Sequence, residues 1–301
     1  MLKRALLVGI NRYAVKPLGG CVNDVLQIQD MLRSKFGFQP SDIRVLTDGD
    51  ATRKGIEAGL DWLVAPGEGG GAGDVRVFHY SGHGSQVEDK DQEEPDGADE
   101  CLVPIDADRS GYLVDDDLCR LYGHVPAGSN LTLIMDSCHS GTSQRGDDDV
   151  VFRFVDPPAA EMAAIERARL AYEERREEHL LEKLRVIRGK SEDELLALIR
   201  SERLSFDKKR RQFGDVDNRE GNLLIAGCRS DQSSSDATIA GARHGALTYF
   251  LVKAVEAQGP SATYRQITTA VGPDLRRYRQ TPQLEGTAAH KDWPIFAPFH
   301  S

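Results

Sequence analysis

Short apolar runs recur along the first third of this chain, separated by stretches with helical spacing, and that alternation restricts the fold more than any other feature. Ala5–Ile10, Ile43–Thr47 and Val75–Tyr80 have the length and β-branched content of buried strands. Val22–Phe36 and Arg53–Val64, which lie between them, carry the apolar periodicity of helices. Strand, helix and strand in succession predict βαβ units, and hence an α/β fold with a mostly parallel central sheet. Further strands are expected at Leu131–Met135 and Leu223–Ala226, and further helices from about Gly245 to Ala257 and across Tyr264–Tyr278. The first run follows Lys3 and Arg4 but is too short to span a membrane and lacks a small-residue cleavage site after it, so it reads as the first core strand.

Two of these runs break abruptly into glycine and a reactive side chain. They are Phe78-His79-Tyr80-Ser81-Gly82-His83-Gly84 and Ile134-Met135-Asp136-Ser137-Cys138-His139-Ser140-Gly141. In a parallel sheet both would end at the same carboxyl edge, where ligand crevices of open α/β sheets form. His83 would bring a base to that edge and Cys138 a thiol. His79 alternates with Tyr80 inside its strand, and His139 points away from Cys138 if the chain there is extended, so both read as structural.

The chain has 301 residues, enough for one large domain or two smaller ones. Its formal charge of −10 argues against a general nucleic-acid binder, which needs surplus Lys and Arg on one face, and favours basic substrates or cations. The five cysteines are scattered without C-x-x-C spacing, so neither a disulfide framework nor a zinc site is indicated and a reducing, cytoplasmic setting is the simplest fit. Gly67–Gly73 precedes a strand rather than a helix, which suits a surface turn and not a phosphate cradle.

Between Asp147 and Gly214 the character changes. Glu161–Arg188 is dense in Glu, Arg, Ala and Leu with opposite charges three or four apart, the pattern of a solvent-facing helix. Ser191-Glu192-Asp193-Glu194 resembles a capping box that starts a second one. The expected organisation is a larger part over residues 1–146, a charged helical insertion over 147–214 and a smaller part of the same domain over 215–301.

His79-Tyr80-Ser81-Gly82-His83-Gly84 and Asp136-Ser137-Cys138-His139-Ser140-Gly141 resemble the paired catalytic signatures of the metacaspases, relatives of the caspases. Gly20-Cys21-Val22-Asn23-Asp24, Val114-Asp115-Asp116-Asp117, Ala226-Gly227-Cys228-Arg229-Ser230-Asp231-Gln232 and Thr281-Pro282-Gln283-Leu284-Glu285-Gly286 occur in the family's order. The likeness covers most of the chain outside the charged insertion. It implies a caspase-like α/β/α sandwich and a monomeric cysteine endopeptidase with Cys138 as nucleophile and His83 as its partner. Chemistry assigns the same roles, because a thiolate is the attacking species and an imidazolium both lowers the thiol pKa and protonates the leaving amine. The oxyanion needs fixed donors, for which the backbone amides of Gly84 and Cys138 are the candidates.

Asp24 and Asp136 bring two carboxylates to that edge, and the planar fork of an arginine can bond both. In metacaspases the matching positions, with Cys21 and Ser81 beside them, line the pocket for Arg or Lys immediately before the cleaved bond. Cleavage of protein or peptide substrates after basic residues is therefore expected; the competing role for Asp24 is to cap the helix beginning near Val25. The resemblance also implies calcium bound through Asp99, Asp115 and Asp116. A further acidic ligand of the family falls at about Arg145, with Asp147 and Asp148 nearby, and that departure leaves open whether the ion is required. The basic residues of the insertion, among them Arg153, Arg167, Arg169, Arg175, Arg176, Lys183, Arg185 and Arg188, suit the proposed pocket, so self-cleavage there is expected without a choice of bond. A different class of function, a catalytically weak scaffold or chaperone acting through the insertion, is the alternative.

Overall fold

The first strand, β1 (Lys3–Gly9), alternates its side chains between two cores: Ala5 and Leu7 join one apolar cluster, Leu6 and Val8 the other. A strand buried on both faces reads as an unbroken apolar run, which is why it is visible in the sequence. The computed structural model describes residues 1–67, 71–90, 96–114, 117–118, 123–138, 150–187, 222–229 and 232–299, with the backbone alone over 179–187. The remaining strands described are β2 (Ile43–Thr47), β3 (Val75–Ser81), β4 (Gly84–Glu88), β5 (Ala98–Leu102), β6 (Leu113–Val114), β7 (Asn130–Asp136), β8 (Val150–Phe152), β9 (Asn222–Ala226), β10 (Ser235–Ile239), β11 (Ala242–Gly245) and β12 (Gln283–Glu285).

Six of them form the central sheet in the order β12-β9-β7-β3-β1-β2. All neighbours run parallel except β12, which pairs antiparallel with β9. Helices α1 (Cys21–Phe36), α4 (Ala246–Gln258) and α5 (Tyr264–Leu275) cover one face through Val25, Ile28, Leu251 and Ile267. Helix α2 (Arg53–Val64) covers the other through Ile56, Leu60 and Leu63. The α/β/α layering and the mostly parallel sheet match the expectation, with element ends displaced by three residues at most. Two smaller three-stranded sheets, β11-β10-β8 and β4-β5-β6, were not anticipated, since their strands are short and carry polar residues.

The chain divides into two units. One comprises residues 1–85, 101–155 and 213–301, and includes the central sheet. The other comprises 86–100 and 156–212, and includes helix α3 (Ala159–Ile187). Within it, Arg169 on α3 bridges Glu166 and Glu173 at 2.6 and 2.7 Å, the charge spacing legible in the sequence. The Gly97 backbone, at φ +73°, lies so close to Ile165–Arg169 that a side chain there would collide with the helix. The capping box at Ser191 lies outside the described residues. Residues 150–155 are part of the first unit, where β8 pairs with β10.

Helix α1 begins close against β1 at Gly9. An added Cβ would stand 2.6 Å from the Cys21 carbonyl and 2.7 Å from Val25 Cγ2, so the bare strand lets the first turn of α1 approach the sheet edge. Gly9→Ala is expected to lower unfolding stability by about 1–3 kcal/mol through that overlap, measured by urea denaturation.

Candidate active site

Parallel pairing brings three strand ends into line. Gly9 on β1 is opposite Ser81 on β3, and Ser81 is opposite Asp136 on β7. His83 and Cys138 each follow their paired strand end by two residues, so the register alone carries both to one edge of the sheet. The loop after β1 and the first turn of α1 add Cys21 and Asp24 there.

A buried guanidinium occupies the centre of this edge. Arg153 is fully buried, as are Asp24, Asp136 and Asp236 around it. Its Nη2 donates to Asp24 at 2.8 Å and to Asp236 at 3.3 Å, while Nη1 donates to Ser81 Oγ at 2.8 Å and the Asp136 carbonyl at 2.9 Å and stands 3.2 Å from the Asp136 carboxylate. The carboxylates are oriented in turn. Asp24 accepts from Ser81 Oγ and the Gly245 N–H, and Asp136 from Ser234 Oγ and both the N–H and hydroxyl of Thr248. Asp236 accepts from the Gly20 N–H and from Arg243. Gly245 is without a side chain where a Cβ would overlap both Asp136 and Arg153.

Burial alone would lift the Asp24 pKa, but Arg153 and its other donors hold it below the usual carboxylate range. Asp136 moves the other way, raised by burial and by the neighbouring Asp24 charge against the pull of Arg153. Arg153 is held firmly protonated, because the charges of Asp136, Asp24 and Asp236 outweigh its desolvation. Cys21 is buried, with its thiol pushed up to about 12 chiefly by desolvation, so it stays neutral.

The main chain around Arg153 is extended. Residues 150–152 form the antiparallel strand β8 against β10, the Arg153 N–H donates to the Ser234 carbonyl at 2.9 Å, and Phe154 bridges in parallel to Gly84. The Arg153 carbonyl accepts two amides, Gly84 N–H at 3.0 Å and Cys138 N–H at 3.3 Å. Those are the two donors suggested from the sequence, and they converge on one peptide carbonyl.

Both reactive groups adjoin that carbonyl. Cys138 is fully buried and its thiol donates to the Gln232 carbonyl at 2.9 Å. His83 is also buried, tilted against Tyr13 with ring centroids 4.5 Å apart, and its Nε2 lies 2.6 Å from the Lys16 carbonyl. A carbonyl can only accept, so Nε2 carries the proton and the lone pair of the neutral ring is on Nδ1, which has no hydrogen-bond partner. Burial depresses His83 to about 4, with the charges of Lys16 and Arg153 adding to the shift and the Lys16 carbonyl opposing it. His79 is a core residue, its Nε2 3.1 Å from Thr248 Oγ1 and its pKa lowered to about 4 by burial.

Asp24 does not cap α1. The helix starts at Cys21 after Gly20, and Asp24 points from the first turn into the recess. Asp99 lies on β5, whereas Asp115 and Asp116, like His139, Arg145, Asp147 and Asp148, lie outside the described residues. Among the described residues no group of three His, Cys, Asp or Glu side chains is arranged to hold a metal ion. No described helix is long and apolar enough to cross a membrane. Asp236 escaped the sequence reading because it sits in a short polar strand after Ser233-Ser234-Ser235, with no apolar run to mark it.

Fold and recess together define a caspase-like α/β/α protein with a thiol and an imidazole at the carboxyl edge of its sheet. A model of the metacaspase peptidase C14 domain matches residues 3–145. The chain is 34% identical over 301 residues to Metacaspase-1 of Mycosarcoma maydis, covering 95% of this chain and 70% of that one. It is 32% identical to Metacaspase-1 of Pyricularia oryzae, over 94% of this chain and 71% of that one. Metacaspase-1 of Sclerotinia sclerotiorum is 31% identical, and this chain spans 65% of its length. A crystal structure of a Geobacter sulfurreducens protein shares the fold, with a TM-score of 0.64 and 24% identity over the whole of both chains. The chain belongs to the metacaspase family.

Three buried histidines, His79, His83 and His290, have pKa values near 4 in the folded protein. Unfolding returns each to about 6.5, so the unfolded chain binds more protons between those values and stability rises with pH there. Lowering the pH from 6.5 towards 4 is expected to cost up to about 4 kcal/mol of unfolding free energy per pH unit at mid-range. Urea midpoints measured across that window check it.

Proposed function

We propose that this protein is a cysteine endopeptidase that cleaves after arginine, less readily after lysine, and that its first substrate is its own Arg153–Phe154 bond. The observation that carries the reading is the placement of Arg153: its side chain fills a recess of three carboxylates while its carbonyl accepts the amides of Gly84 and Cys138. A peptide about to be cut must present the same two features.

The chemistry follows from the atoms present. The Cys138 thiol leaves the Gln232 carbonyl and gives its proton to His83 Nδ1, and the sulfur attacks the Arg153 carbonyl carbon. The carbonyl oxygen takes the negative charge, held by the Gly84 and Cys138 amides. His83, kept in one tautomer by the Lys16 carbonyl, returns the proton to the Phe154 nitrogen as the C–N bond breaks. A thioester joins Cys138 to Arg153 and the segment from Phe154 is released. Water, deprotonated by the same imidazole, then hydrolyses the thioester and restores the thiol.

The choice of arginine over lysine rests on the fork. Nη1 and Nη2 together reach Ser81, the Asp136 carbonyl, Asp24 and Asp236, which a single ammonium cannot do from one position. Before cleavage Cys138 is covered and the recess filled, so the intact chain is restrained towards other substrates.

Purified protein is expected to yield a fragment beginning at Phe154, detected by amino-terminal sequencing, and Cys138→Ala to yield none. The same fragment from Cys138→Ala protein would overturn the mechanism. Asp24→Asn is expected to lower kcat/KM on arginine peptides on the order of 10- to 100-fold, the loss of a charge-assisted bond, measured on fluorogenic Arg-amides.

A further inference from the structure

The segment in the recess continues beyond Arg153, and its next residues are held as closely as the arginine. Phe154 is 5% exposed and packs with Cys138 and Cys228. Its carbonyl accepts the Lys16 ammonium at 2.7 Å. The Val155 N–H donates to the Gly84 carbonyl at 3.1 Å, and the Val155 carbonyl accepts Ser85 Oγ at 2.7 Å.

Lys16 has an unusual position in this arrangement. Its backbone is left-handed, at φ +57°, which non-glycine residues seldom adopt. That turn lets one residue act in two directions, its carbonyl on the His83 ring and its ammonium on the Phe154 carbonyl. The ammonium engages a main-chain oxygen, which any peptide supplies, so it adds hold without choosing a sequence. The choice is made by the apolar seat of the Phe154 side chain, which packs with the two cysteines.

We infer that Lys16, Cys228 and the flank of Cys138 form a subsite for the residue after the cleaved bond, selecting substrates with a large apolar or aromatic side chain there. This rests on the reading of Arg153 as the residue before the cut. The preferred substrate class is then a basic residue followed by an aromatic or large aliphatic one. Lys16 is a substrate-positioning residue, fixing the carbonyl of the departing half so that its nitrogen stays aligned with His83.

The test uses the full chain and internally quenched peptides Val-Val-Phe-Arg-X-Val with X as Phe, Leu, Gly or Asp. The Phe and Leu peptides are expected to exceed Gly and Asp in kcat/KM on the order of 10- to 100-fold, the worth of burying one such side chain. Lys16→Met is expected to lose about tenfold more on the Phe peptide than on an Arg-aminocoumarin amide, which has no residue after the cut. Equal turnover of the four peptides, or preference for Asp, overturns the subsite while leaving cleavage after arginine intact. Equal loss on both substrates in Lys16→Met overturns the role of the ammonium. No cleavage of any peptide removes the reading of Arg153, and the subsite with it.

Discussion

Three carboxylates cannot share a dry recess without a cation, and in this protein Arg153 supplies it. Asp24 arrives on α1, Asp136 at the end of β7 and Asp236 on β10, so one guanidinium ties a helix, the central sheet and a second sheet to a single point. Removing either side of such a buried cluster leaves uncompensated charge, a destabilisation of roughly 3–5 kcal/mol for a broken buried pair. The three acids are tolerable in the fold because the chain brings its own partner for them. That requirement fixes the path of residues 150–155, and the path in turn sets the carbonyl between the two amides.

The sheet makes this economical. A parallel register delivers Ser81 and Asp136 side by side, and the two residues beyond each strand bring the imidazole and the thiol. Gly9 and Gly245 lack side chains where α1 and the recess need the space. Hydrogen bonds from Thr248, Ser234 and Gly245 orient Asp24 and Asp136 towards the guanidinium. Preorganisation of this kind spares reorganisation around the guanidinium.

Much of this was legible in the sequence because the informative strands are buried on both faces. Val75–Ser81 and Asn130–Asp136 announce themselves as apolar runs that end in reactive residues, and a parallel sheet can only align such ends. Asp24 and Asp136 followed from their distance to those ends. What the sequence hid are contacts made by short, polar, antiparallel pieces. β8 and β10 are three and five residues long, and their pairing draws Arg153 out of the charged stretch where it looked like one basic residue among many. Asp236 and Lys16 belong to the same category: neither sits in a periodic pattern, and each gains its role only from a partner far away in sequence.

Arg153 is covalently part of the molecule whose recess it fills, so its local concentration does not fall when the protein is diluted. Any soluble arginine mimic has to compete with that tethered rival for the three carboxylates. The outcome of that competition is set by the concentration of the mimic and is independent of how much protein is present.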